Sequence, residues 1–79
     1  MPKEALIKAL GKEIRARRKL KKLTQAGLAF RAGIHSNTVS LIERAETVAG
    51  IDALFELASA LGISVSQLLK SAEDRINTR

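Results

Sequence analysis

Apolar residues return at helical intervals along most of this chain. Leu6, Leu10 and Ile14 fall on one side of a helix predicted from about Glu4 to Lys21, with Lys8, Lys12, Arg15 and Lys19 spread around the remainder. Gly11 interrupts that segment and weakens it slightly. Thr24 is placed to N-cap a second, short helix, QAGLAFRA, which lacks the acid of a capping box because Gly27 stands at the third helical position. Gly33 ends it, glycine being the residue that most readily turns left-handed after a helix, and Ile34 re-enters the core. His35 or Ser36 then caps a third helix running to about Arg44.

Beyond the loop 45–50, Ile51, Leu54, Phe55, Ala58 and Leu61 make one stripe of a fourth helix, which starts at Ile51 or Asp52 and stops at Gly62. Ser64 caps a fifth, short helix through Val65, Leu68 and Leu69. The closing SAEDRINTR has no apolar period and is expected to fray at least in part. The pattern predicts an all-α, compact five-helix domain over residues 1–70, with two short helices about a tight turn at about 24–44 and a tail at 71–79.

Composition agrees with that picture and narrows it. A chain of 79 residues holds one small core, and with Phe30 and Phe55 as the sole aromatics that core must be aliphatic. The absence of cysteine excludes disulfides, a thiolate metal site and a cysteine nucleophile, and suits a reducing compartment. No signal-peptide pattern opens the chain and no window approaches a membrane span, so the expected location is the cytoplasm, at the nucleoid.

The net charge of +6 is lopsided. Residues 1–44 carry eleven Lys and Arg against three Glu, whereas residues 45–79 carry three against five acids. The run Lys12 to Lys22 alone has seven cations and one anion. Such a half-basic domain has the electrostatic footprint of a polyanion binder, although a solvated helix face with cations near its C-terminus reads the same way.

The third helix separates those readings. On a wheel, Val39 and Ile42 share one side, while Ser36, Asn37, Ser40, Leu41 and Arg44 spread around the other. A merely solvated face would favour Lys and Glu, which have better helix propensity than Ser, Asn or Thr. Short amides and hydroxyls instead suit close hydrogen bonding to base edges in a major groove, and a leucine can meet a thymine methyl.

Gln25, Leu28, Ala29, Ala32, Gly33, Ile34, Val39 and Ile42 together resemble the helix-turn-helix of the phage-repressor and Cro-like, or XRE, family. LGKEIRARR, Ile42-Glu43-Arg44 and LFELASALGISVSQLL extend the likeness over residues 10 to 69. The chain departs from the pattern at Ala26 and Gly27, at Lys22 where a glycine is common, at Arg17 where an apolar residue is common, and in the loop ETVAG, which lacks Lys, Arg and Pro.

The resemblance implies a lambda-repressor-like fold and a set of roles. Ser36, Asn37, Ser40 and Leu41 would meet bases; Gln25, Thr24, Thr38, Arg15, Lys21 and Arg44 would meet phosphates; Arg18 and Glu43 would form a structural ion pair. It implies double-stranded DNA as partner; one short reading helix per domain calls for a homodimer on a near-palindromic operator, and Val48, Ile51, Val65 and Ile76, more than one small core needs, point to a dimer surface on the last two helices. Restriction–modification controllers, small phage switches and antitoxins of toxin–antitoxin pairs all share this form, and a protein-interaction adaptor that kept the fold without reading bases is a further alternative. An enzyme is not expected. The single His35 has no metal-binding company and fits a cap or phosphate neighbour, and no catalytic group, cofactor, small-molecule ligand or membrane is implied.

Overall fold

The computed structural model describes residues 2–77. Five helices follow one another: α1 (Lys3–Leu20), α2 (Gln25–Ala32), α3 (Ser36–Glu43), α4 (Ile51–Ala60) and α5 (Val65–Asn77), with no strand among the described residues. The largest wholly buried side chains are Ile14, Leu28, Val39, Leu57 and Leu68, one from each helix. Helices this short are marginal alone, so each depends on the core its neighbours complete. Helix α1 packs chiefly against α5 and α3, and α2 against α3 and α4.

All four connections begin with the same hydrogen-bonded turn. At the end of α2, Gly33 takes φ 70°, Ile34 N–H donates to the Ala29 carbonyl at 3.0 Å, and Gly33 N–H donates to Phe30 at 3.3 Å. Gly62 repeats this after α4 with φ 79° and Ile63 N–H on the Ala58 carbonyl at 3.0 Å. The other two turns place Lys22 (φ 58°) and Ala45 (φ 59°) in the left-handed position, where a β-carbon costs energy that glycine avoids.

Two expectations need correction. The stretch 71–77, expected as a tail after a short fifth helix, is helix continuous with α5; residues 78 and 79 lie outside the described residues. Its anchors are Ala72, which is wholly buried, Ser71, whose Oγ accepts from Arg17 Nη2 at 3.0 Å, and Arg75, whose Nε donates to Glu13 Oε1 at 2.7 Å. Ser64 and Gln67 start the helix with a reciprocal capping box, at 3.1 and 2.9 Å. In α4 the inward arc is Leu54, Leu57, Ala58 and Leu61, while Ile51 and Phe55 point outward, 71% and 60% exposed.

Gly11 is the contact point of α1 with α3. A β-carbon there would lie 2.6 Å from the Ile42 carbonyl oxygen and 2.8 Å from that of Glu43. The residue that weakens α1 locally is therefore what lets the two backbones touch.

Candidate nucleic-acid interface

Helix α3 is held by its apolar side. Val39 and Ile42 are buried, and the small Ala29 and Ala32 of α2, also buried, let the two helices cross closely. Ser36 and Asn37 are consequently pushed into solvent at the first turn of α3, and Thr38, Ser40 and Leu41 are half-buried around it. The side chains of Ser36 and Asn37 take no hydrogen bond within the described residues, so their donors and acceptors are unmatched. Ser40 Oγ accepts from Arg44 Nε at 3.2 Å.

The start of α2 is built differently. Thr24 Oγ1 accepts from Gly27 N–H at 2.9 Å, capping the helix, and its own hydroxyl proton is left to donate outward. Gln25 Nε2 donates to Glu43 Oε1 at 3.0 Å, across from α2 to the end of α3. Its second amide proton has no acceptor among the described residues and lies beside the first free backbone N–H groups of α2, the arrangement of an anion site.

Glu43 in turn receives Arg18 through two bonds, Nε to Oε2 at 2.7 Å and Nη2 to Oε1 at 3.0 Å. Arg18 Nη1 also donates to the Leu23 carbonyl at 2.9 Å, tying in the turn before Thr24. The Glu43 side chain is 2% exposed and that of Arg18 10%. Hydrogen bonding to Glu43 pushes the Arg18 guanidinium further up its basic range despite burial. One carboxylate thus joins α1, α2 and α3.

The cations assigned to phosphates are not equally placed. Arg15 stands on the exposed outer face of α1, beside the edge that meets α3 at Gly11 and Arg18. Lys21 caps α1 and its Nζ lies by Gly62 on the α4–α5 turn, so it is not gathered with α2 and α3 here. Arg44 is engaged, donating Nη1 to Glu46 Oε2 at 2.8 Å in an exposed pair. The opposing acid escaped the sequence reading, although Arg-Ala-Glu spacing at a helix end was its visible signal.

Arg17 explains its own departure from an apolar position. It donates to Glu13 Oε2 at 2.7 Å and to Ser71, so a polar bridge to α5 replaces an apolar contact. His35 precedes α3 as its N-cap without a side-chain bond to the helix. Of the apolar residues expected at a dimer surface, Val65 and Ile76 pack against the core, whereas Val48 and Ile51 are exposed, with Phe55 one turn beyond Ile51. Among the described residues no single helix is long and apolar enough to cross a membrane.

Comparison with known proteins fits this geometry. A helix-turn-helix family model matches residues 14–68. No curated protein matches the chain. Among solved structures, the DNA-binding domain of the P22 c2 repressor is 41% identical, covering 77% of this chain and 80% of that one, with a TM-score of 0.74. The restriction–modification controller protein C.AhdI from Aeromonas hydrophila is 32% identical over 80% of this chain and 94% of its own, with a TM-score of 0.75. The clp gene regulator ClgR from Corynebacterium glutamicum is 29% identical over 91% and 77%, with a TM-score of 0.85. With more than half its length matched by the family model and five helices in the same arrangement, the chain belongs to the XRE-type helix-turn-helix family of DNA-binding regulators.

Proposed function

We propose that the protein is a sequence-specific transcriptional regulator that binds a near-palindromic operator as a homodimer, with α3 in the major groove. The observation that carries this is the first turn of α3: Ser36 and Asn37 are exposed and without side-chain partners among the described residues, on a helix whose other side is locked into the core. Asn37 suits a bidentate pair with adenine, Ser36 and Ser40 suit donors or acceptors on base edges, and Leu41 suits a thymine methyl. Thr24, Gln25, Thr38, Arg15 and Arg44 act on phosphates, which supply affinity without sequence information, and Lys21, turned toward the α4–α5 connection, stands outside that set.

A single eight-residue helix reads few base pairs, so discrimination across a genome calls for two half-sites about one helical turn apart. Val48, Ile51 and Phe55 supply the self-complementary apolar surface for pairing, each more than half exposed in the single chain. Repression or activation then follows from where the operator lies relative to the promoter. The controller-protein and repressor relatives support this class of function, exercised at the nucleoid in the cytoplasm.

The test is selection of binding sites from random duplexes with purified protein. A palindromic consensus is expected, with half-sites spaced by about one turn. Asn37→Ala should weaken the selected site by roughly 1–3 kcal/mol and leave random duplexes nearly unaffected. Equal losses on both would remove α3 from base reading, and no enrichment at all would favour a protein-interaction adaptor.

A further inference from the structure

Away from α2 and α3, a hollow of about 490 Å³ opens between α1 and α5, lined by Ala5, Lys8, Ala9, Lys12, Arg75 and Ile76. Its lining has two chemistries. Ala5, Ala9 and Ile76 make an apolar floor, and Lys8, Lys12 and Arg75 supply cations around it. Lys8 and Lys12 stand one turn apart on α1, both exposed, and neither takes part in an ion pair among the described residues.

Arg75 is held in place for a partner. Its Nε is fixed on Glu13, whose other oxygen is fixed by Arg17, so the guanidinium plane is set while its terminal N–H groups have no acceptor within the described residues. A pre-oriented guanidinium loses little freedom on pairing with a carboxylate.

We propose that this hollow docks an acidic amphipathic segment of a partner protein, its apolar side chains on the Ala5–Ala9–Ile76 floor and its carboxylates on Lys8, Lys12 and Arg75. Charge complementarity selects the sign of the partner, and the floor selects its class. A phosphate backbone has no apolar face to lay on that floor, and no aromatic residue lines the hollow for a base to stack upon. An amphipathic helix or strand offers both, in the manner of helix-in-groove recognition. Because none of the lining residues belongs to α2 or α3, the partner and an operator can be held at once.

The experiment titrates the full chain with a dye-labelled acidic peptide carrying Leu and Glu at helical spacing, read by anisotropy and by backbone amide shifts. Comparators are the same peptide with Lys for Glu, polyglutamate, and a single-stranded oligothymidylate. The expected result is saturable binding of the acidic amphipathic peptide, with shifts clustered at residues 5–12 and 72–77. Lys8→Glu and Ala5→Glu, at exposed and half-exposed helix positions, should each weaken it about tenfold or more with unchanged helicity. Polyglutamate should bind measurably less tightly. Shifts on α2 and α3, equal binding of polyglutamate, displacement by the oligonucleotide, or no saturable binding at all would each overturn the proposal. The operator-selection experiment does not depend on this hollow, so either proposal can fail alone.

Discussion

Gly11 lies directly beneath the carbonyl oxygen of Ile42, so close that a single β-carbon would stand 2.6 Å from it. The clash is with backbone at the end of α3, which cannot swing aside like a side chain. Gly11→Ala improves helix propensity by about 1 kcal/mol, but the overpacking it forces costs about 1–3 kcal/mol. A lower urea midpoint is expected, together with a weaker operator complex as α3 shifts. A midpoint equal to or above that of the parent would remove Gly11 from the helix contact.

Arg18 and Glu43 are coupled through buried, two-pronged hydrogen bonds. Removing Arg18 strands a carboxylate that is 2% exposed with Gln25 as its remaining described partner, so Arg18→Met should cost about 3–5 kcal/mol. The double variant Arg18→Met/Glu43→Leu removes both charges and should be less damaging than the sum of the singles. Denaturation of all four proteins gives the interaction energy, and strict additivity would reject the coupling.

Glu13 makes stability depend on acid. Burial pushes its carboxyl up, but hydrogen bonds and positive charge from Arg75 and Arg17 outweigh burial and hold it below the ordinary value of 4.5. A depressed folded value means that the unfolded chain takes up the proton first. The stabilisation is therefore complete above that ordinary value and disappears as pH falls through the folded one. Thermal midpoints of the parent and Glu13→Gln should differ at neutral pH and converge in acid. A gap that persists unchanged at low pH would show that Glu13 acts through shape and not charge.

The charges of Arg15 and Arg44, proposed to meet phosphates, should be adjustable in both directions. Arg15→Gln is expected to weaken specific and random duplexes alike and to flatten the slope of log K against log salt by up to about 1. Glu46→Gln releases Arg44 from its exposed partner and should strengthen binding to all sequences, most at low salt. Binding isotherms at several salt concentrations settle both, and a Glu46→Gln protein that binds no tighter would place Arg44 away from the duplex.

Much of this architecture was legible because periodicity and punctuation agreed. Val39 and Ile42 against Ser36 and Asn37 define the faces of α3, and Gly33 and Gly62 mark two of the turns. The other two turns were hidden, since Lys22 and Ala45 occupy a conformation that nothing in their chemistry announces. The end of α5 was misread because Ser71 and Arg75 bind Arg17 and Glu13 over more than fifty residues, and long-range polar pairing leaves no period along a chain. In α4 the stripe was found but its centre misplaced, since Ile51 and Phe55 are as apolar as Leu57 and only tertiary packing chooses between them. At the candidate interface, residue types on α3 were readable one by one, whereas the bond from Gln25 to Glu43 exists only once α2 and α3 have crossed.

That the side chains of Ser36 and Asn37 bind nothing among the described residues bears on how such a regulator diverges. Positions that carry no share of the frame can be exchanged with little loss of stability, so few substitutions there push the chain toward its unfolding threshold. Gln25 and Glu43 have no such latitude, being joined to each other and through Glu43 to α1. With α3 reading bases as proposed, drift in a lineage of these proteins is therefore steered toward new target sequences and away from new ways of gripping the duplex.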